Sequence, residues 1–379
     1  MTHPQTIAVV VGTRPEAIKM GPLVLALKRE QRFRPVLVST AQHTDMLDQA
    51  LDAFGLVPDI DLGLTRIGSS IEAFLGSALE PLGRVFAQMK PTLTMVQGDT
   101  MSVLAAAQAS FFERFPVAHV EAGLRSDDLN HPFPEEATRR LVSVLVSYHF
   151  APTERARQNL LREGVDDSRI WVTGNTVVDA LRMLRIDKPE NESVAKLDFE
   201  KSRVILVTAH RRENHGEPLH HICDAIAQLV RRYPDVEILF PVHANPDVHN
   251  AVHGWLGHVD RVHLTPPLSY GDLLYALRRA ELALTDSGGI QEEAPSFHCP
   301  VLIMRDVTER PEVVEVGAGK IVGTDADRIV SEVSSLLDDD AAYEAMATAP
   351  NPFGDGHAAE RIVEIVGESF ERRRIFRAV

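Results

Sequence analysis

Three carboxylates, Asp99, Glu121 and Glu135, fall in two nearby polar segments, QGDT (Gln97 to Thr100) and HVEAGLRSDDLNHPFPEEATRR (His119 to Arg140). Carboxylates collected at one strand-end rim raise one another's pKa, and carboxyls with separated pKa values can act as acid and base. Each also has an ordinary reading: Asp99 as the N-cap of the next helix, Glu121 and Glu135 as caps or as partners of Arg125 or Arg139. Anion binding is the second chemistry on offer. GTRPEAIK, Gly12 to Lys19, combines a tight turn and a helix-opening Pro15 with Arg14 and Lys19 near a helix N-terminus. A plain capped helix with surface cations is the alternative there. TDSGGIQEEAP, Thr285 to Pro295, runs from a strand through Ser287-Gly288-Gly289 into a helix, which lets backbone N–H groups approach a diphosphate. One turn further, Glu292 or Glu293 is placed to accept hydrogen bonds from ribose hydroxyls. RDVTERPE, Arg305 to Glu312, follows it. In TAHRRENHG, Thr208 to Gly216, His210 follows a strand directly and precedes an arginine pair, which favours a charged ligand over a structural histidine.

The elements that must position these groups alternate along the chain. Short apolar runs of strand character cover Thr6–Val11, Pro35–Ser39, Thr92–Gln97, Val117–Val120, Arg203–Thr208, Val236–Pro241, Arg261–Leu264, Leu282–Thr285 and Val301–Met304, with helix-like stretches between them. Near-continuous apolar strands are those of parallel sheets covered on both faces. The 379 residues suffice for two domains, and a polar stretch between Leu184 and Ser202 marks the joint. The expectation is therefore two Rossmann-like doubly wound α/β domains, 1–184 and 185–359, with an active-site cleft between them at the C-terminal strand ends. Gly356 to Val379 reads as a long helix with a basic end.

Composition closes several other routes. A net charge of −15 disfavours general attachment to nucleic acid or anionic membrane, and no apolar run approaches the length of a bilayer span. The two cysteines, Cys223 and Cys299, fit neither a disulfide framework nor a zinc cluster, and a reducing cytoplasm suits them. His210, His215, His220 and His221 lack a metal-binding pattern, so no metal is expected. No strand–helix junction carries G-x-G-x-x-G, so a nicotinamide cofactor is not expected either.

Taken in order, GTRPEAIK, AQHTDMLDQ, VQGDT, VEAGLRS, FPEEATRR, AHRREN, PVHANP, DSGGIQEEAP, TERPE and VGTD span nearly the whole chain, which resembles the non-hydrolysing UDP-N-acetylglucosamine 2-epimerases. The resemblance implies the fold of the two-Rossmann (GT-B-like) glycosyltransferases, with a C-terminal helix, about 360–379, crossing back to the first domain. It implies Asp99, Glu121, Glu135 and His210 as catalytic residues. Nucleotide contacts are implied at Arg14, Lys19, Ser287, Gly288, Gly289, Glu293 and Arg310, with Leu268 and Leu273 of PPLSYGDLL beside the uracil. A second, activating UDP-N-acetylglucosamine would meet Gln42, Arg66, Glu136, Arg211 and His243. Asp45, Ala209 and Ser126-Asp127 depart from the family pattern and bear on that activator site. The resemblance also implies a homodimer.

Interconversion of UDP-GlcNAc and UDP-ManNAc is the implied reaction. The hydrogen on carbon 2 is not beside a carbonyl, so direct exchange is too slow. Elimination of UDP to a 2-acetamidoglucal and re-addition after protonation from the opposite face avoids that barrier. The scheme needs a base, an acid and stabilisation of the departing diphosphate. Related readings are epimerisation of a modified sugar such as a UDP-linked diacetamido uronic acid, a UDP-sugar glycosyltransferase on the same fold, or a silent UDP-sugar sensor.

Overall fold

The computed structural model describes residues 4–41, 45–64, 70–184 and 186–377; the activator-site candidates Gln42 and Arg66 lie outside the described residues. The chain divides into two compact units, Met1–Leu184 with Phe353–Val379, and Arg185–Pro352. In the first unit the strands are β1 (Gln5–Val11), β2 (Phe33–Ala41), β3 (Ile60–Leu64), β4 (Leu93–Gln97), β5 (Val117–Val120), β6 (Tyr148–Ala151) and β7 (Ile170–Val172). They form one parallel sheet in the order β3-β2-β1-β4-β5-β6-β7. The second unit holds β8 (Arg203–Thr208), β9 (Val236–Pro241), β10 (Val262–Thr265), β11 (Leu282–Thr285), β12 (Val301–Ile303) and β13 (Gly319–Ile321). These are again all parallel, in the order β10-β9-β8-β11-β12-β13.

Helices on both faces explain the unbroken apolar strands. Ile7 to Val11 are all buried, as are Leu282 to Thr285. One core gathers Val10, Val38, Phe86, Val96, Leu104 and Val142; the other gathers Ile205, Val207, Ile226, Phe240, Leu282 and Leu284. Each such side chain contributes about 1.5–3 kcal/mol by leaving water.

In each sheet the strand order reverses at one place, between β1 and β4 and between β8 and β11. Crossovers leave such a switch point on opposite faces, so the turns at the C-terminal strand ends open a crevice there. The helix Arg14–Arg29 starts from the β1 side of the first crevice. Pro near its first turn, Glu16 in that turn and Lys28 and Arg29 in the last suit the helix dipole. Gly12 lets this turn close down on its neighbours. A Cβ there would stand 2.1 Å from Ser102 Oγ and 2.4 Å from Thr40 Oγ1.

The chain rejoins the first unit at Phe353, somewhat earlier than the expected return near 360. Phe353 O accepts from Asn175 N at 2.7 Å, and the Asp179 carboxylate accepts from Ala358 N at 3.1 Å and Ala359 N at 2.8 Å. That carboxylate satisfies the first orphan N–H groups of the final helix, Ala358–Arg377, and fixes where it begins.

Candidate active site

In the first unit, three turns at neighbouring strand ends carry the polar groups. Asp99 follows β4, Glu121 follows β5, and Gly98 N donates to Val120 O at 3.2 Å, which ties the two turns together. Arg139 donates to Asp99 Oδ2 from Nε at 2.8 Å and approaches it from Nη2 at 2.7 Å. Among the described residues Oδ1 of Asp99 has no donor, and the side chain keeps about a quarter of its exposure. Arg139 lies one helical turn after Glu135, on the same face of the helix Glu135–Leu145, so its grip on Asp99 sets the two carboxylates in one neighbourhood. Glu135 Oε2 is buried and has no hydrogen-bond partner among the described residues. One oxygen of that carboxyl group is thus shielded from water without being satisfied, which leaves it open to a ligand.

Glu121 is different. Its backbone is left-handed, φ 64°, an arrangement that costs a non-glycine residue energy and persists only when its surroundings hold it. Lys19 Nζ donates to both carboxylate oxygens, at 2.8 and 2.9 Å, Gln97 Nε2 donates to Oε2, and Asn175 Nδ2 stands 3.5 Å from Oε1. With its oxygens so occupied, Glu121 is a fixed wall of charge, and Lys19 is its counterion. Contact between Lys19 and a nucleotide would require that nearly buried pair to open. Arg14, the other cation of the segment, is half-buried on the first turn of the helix.

Two further residues shape this rim, and sequence reasoning assigned neither. Glu16, buried, accepts from Gly12 N at 2.5 Å and Thr13 N at 3.3 Å on Oε2, and from Thr100 Oγ1 at 2.6 Å on Oε1. It therefore clasps the turn after β1 to the turn after β4. Burial pushes its carboxyl up to about 7 against the pull of those donors. His119, buried in β5, lies 2.7 Å from Gly98 O through Nε2, and burial pushes its pKa down to about 4. A neutral ring donating from Nε2 thus holds the turn that carries Asp99. The capping box at Thr13–Glu16 was the available signal for Glu16; a lone histidine in an apolar strand gave none for His119.

In the second unit His210 follows β8 and Asp286 follows β11, so the two face each other across the switch point. The His210 side chain is 40% exposed, and its Nδ1 stands 3.0 Å from Oδ1 of the fully buried Asp286. Thr208 and Thr285 are paired through their hydroxyls, and Ser287 N donates to Thr285 Oγ1 at 2.9 Å. Ser287, Gly288 and Gly289 open the short helix Gly288–Glu293. A Cβ on Gly288 would lie 3.8 Å from the guanidinium of Arg310, so Arg310 overhangs the glycine turn. Arg310 in turn donates from Nε to the buried Glu292. That bond separates the two acidic candidates: Glu292 anchors Arg310, while Glu293 receives the Tyr270 hydroxyl at 2.9 Å. Leu268 is buried and Leu273 half-buried at the start of the helix Tyr270–Leu277.

Of the activator candidates among the described residues, Glu136 lies in the first unit and Arg211 and His243 in the second. Glu136 is fully buried and accepts from Ser126 N at 3.0 Å, Arg139 Nη1 at 3.2 Å and Arg140 Nε at 3.0 Å. It is a clamp of the His119–Arg140 segment, and a ligand would have to break that clamp to reach it. Arg211 adjoins His210, and the His243 ring stacks 6.4 Å from the His210 ring.

Two parallel α/β sheets of Rossmann order, each with charged groups collected at its switch point, define a protein of the nucleotide-ligand class. Residues 25–367 match the family model described as UDP-N-acetylglucosamine 2-epimerase, and the chain belongs to that family. A UDP-N-acetylglucosamine 2-epimerase of Escherichia coli (strain K12) is 50% identical over 365 residues, covering 94% of this chain and 97% of the relative. The crystal structure of UDP-GlcNAc 2-epimerase from Neisseria meningitidis bound to UDP-GlcNAc is similar with a TM-score of 0.90 at 42% identity, over 96% of this chain and 100% of that one. The Staphylococcus aureus MnaA–UDP structure gives a TM-score of 0.89 at 42% identity, over 97% of each chain. Among the described residues no helix is long and apolar enough to cross a membrane.

Proposed function

We propose that this protein is a non-hydrolysing UDP-N-acetylglucosamine 2-epimerase that interconverts UDP-GlcNAc and UDP-ManNAc. The observation that carries the reading is the unequal treatment of the three carboxylates at the β4–β5 rim. One is fixed by a lysine and two amides, one is held by Arg139 with an oxygen left open, and one has a buried bare oxygen. Elimination and re-addition need two proton-transfer groups with access to opposite faces of carbon 2, and Asp99 and Glu135 supply them. In the forward step a carboxylate takes the carbon 2 proton and the anomeric C–O electrons leave with UDP, giving the 2-acetamidoglucal. Protonation from the other face and return of UDP to the anomeric carbon complete the inversion.

Glu121 and Lys19 orient the sugar and keep the rim rigid. His210, Arg310, Arg14 and the Ser287-Gly288-Gly289 turn receive the charge of the departing diphosphate, and Glu293, steadied by Tyr270, takes the ribose hydroxyls. Leu268 and Leu273 offer apolar surface to the uracil. One proton leaves, another is added and UDP returns, so there is no net change of oxidation state and the scheme calls for neither nicotinamide nor metal. The same reading includes a homodimer, supported by the exposed apolar side chains of Phe111, Phe112, Leu141 and Val144 on two packed helices of the first unit. It also includes the cytoplasm, where the buried, unpaired Cys223 and Cys299 stay reduced.

Incubation with UDP-GlcNAc in heavy water, with no acceptor, tests the proposal. Deuterium at carbon 2 together with UDP-ManNAc is the expected result. Turnover that appears only when an acceptor is added would instead mark a glycosyltransferase and end the epimerase reading.

A further inference from the structure

Asp286 has no role in the reading above, yet it is among the most fully engaged carboxylates of the second unit. Its side chain is sealed from solvent. Oδ2 accepts from His210 N, Arg211 N and Asn214 Nδ2, each at 2.9 Å, and Asn214 is itself braced by Met304 O at 3.2 Å. Oδ1 faces Nδ1 of His210 at 3.0 Å, at ion-pair distance but off the hydrogen-bond axis. Burial works against the charge, while the His210 ring and the converging N–H groups hold the carboxyl below its ordinary value. Among the described residues Nε2 of His210 has no partner, and the ring is the exposed member of the pair.

We propose that Asp286 is the positioning residue for His210: the sealed carboxylate holds the proton on Nδ1, turns Nε2 outward and offsets the ring charge when Nε2 takes a proton from solvent and donates it to the departing diphosphate. This rests on the reading that His210 serves the departing UDP. The arrangement follows from chemistry. Three donors on Oδ2 fix the carboxylate plane, and Oδ1 then faces Nδ1 of His210 at 3.0 Å. An acceptor-only oxygen selects the tautomer that donates to it. Off-axis contacts of this kind straighten when a ligand seats, which is common for catalytic hydrogen bonds before substrate arrives. Asp286 also leads directly into Ser287 and Gly288, so one residue registers the imidazole against the glycine turn.

Asp286→Asn is a clean perturbation. Its amide oxygen can keep the three donors of Oδ2, while its NH2 group faces Nδ1 and forces the Nε2–H tautomer. The full-length protein is labelled with 15N-histidine, His210 is assigned by comparison with His210→Ala, and kinetics are run with UDP-GlcNAc. We expect an Nδ1–H signature in the wild type and an Nε2–H signature in Asp286→Asn. The kcat should fall about 100-fold or more with KM within about threefold, as for loss of a correctly oriented acid–base group. In a His210→Ala background the same substitution should cost less than about threefold, because its effect runs through the missing ring. Asn214→Ala, which removes only a brace, should lower Tm and leave kcat within about fivefold. The proposal is overturned if the wild type carries Nε2–H on His210, if Asp286→Asn keeps near-normal kcat, or if Asn214→Ala matches it. Should Asp286→Asn not fold, the wild-type tautomer alone decides. A wild type that does not epimerise defeats the functional reading but leaves the tautomer result to judge Asp286.

Discussion

His149 sits in the middle of β6 with no exposed surface, and neither ring nitrogen has a partner among the described residues. Burial first, then the neighbouring His119, pushes its pKa down to about 3, and His119, its partner across β5–β6, is pushed down to about 4. The unfolded chain, with histidines near ~6.5, therefore binds these protons more readily than the folded one. Stability is intact above that value and is lost as pH falls toward the folded values. Between pH 7 and pH 4.5 His149 alone removes about 3 kcal/mol, a large part of ordinary domain stability. His149→Leu conserves volume to a first approximation and cannot take the proton. It also removes two unsatisfied polar atoms, so it should be neutral or stabilising at pH 7. Trp171 stacks on Tyr148 beside this site at 5.6 Å, so its fluorescence in a Trp255→Phe background reports urea unfolding of the first unit. The expected result is that the variant keeps about 3 kcal/mol more of its stability than the parent at pH 4.5. Parallel pH profiles for the two proteins would refute the assignment of acid sensitivity to this ring.

Three other substitutions follow from the same geometry. Asp99→Asn keeps a partner for Arg139 but cannot accept the carbon 2 proton; deuterium exchange should drop by at least about 100-fold, with UDP binding by calorimetry little changed. Glu16→Gln can keep its oxygen on Gly12 N and Thr13 N but turns an NH2 group to the Thr100 hydroxyl, which must then accept, and should cost about 1 kcal/mol in unfolding experiments. Because the folded Glu16 carboxyl is raised to about 7, the wild type loses stability as pH rises through that value; the variant does not, so the deficit should be largest near ~pH 5. Arg310→Lys loses the planar fork over Gly288 and strands Glu292; KM for UDP-GlcNAc should rise about tenfold, and an unchanged KM would remove Arg310 from the diphosphate.

Much of the fold was legible because parallel strands buried on both faces leave an unmistakable apolar signature, as in β1 and β11. The strands that escaped notice lacked it: β3 contains Gly63, β6 alternates polar and aromatic residues in Tyr148-His149, and β7 and β13 are three residues long. The functional segments were legible as clusters because their residue types are costly to collect without use. Individual jobs within a cluster were not. Glu135 and Glu136 are adjacent, yet helical rotation gives one a bare oxygen and the other three donors. Glu292 and Glu293 divide in the same way between Arg310 and Tyr270. Spacing along a chain specifies which face a side chain takes, but its partners come from other elements.

The missing glycine-rich fingerprint has a physical explanation in the two clasps. A turn that leaves a central strand at a switch point exposes backbone N–H groups, and in dinucleotide-binding sheets those groups receive the phosphates. Here a buried carboxylate takes them instead. Glu16 receives Gly12 N and Thr13 N after β1 and reaches across to Thr100 after β4. Asp286, after β11, receives His210 N and Arg211 N after β8. Each clasp spans the reversal in strand order, and each uses up the donors that a phosphate would need. In the proposed reading the charge of a nucleotide is then met in large part by side chains beside these turns, Arg14, His210 and Arg310, together with the Ser287-Gly288-Gly289 turn. A grip made of side chains can tighten and release as charge develops on a leaving group, whereas a backbone nest holds ground state and product alike. For a reaction that expels a diphosphate and must take it back, the first arrangement is the one that differential binding favours.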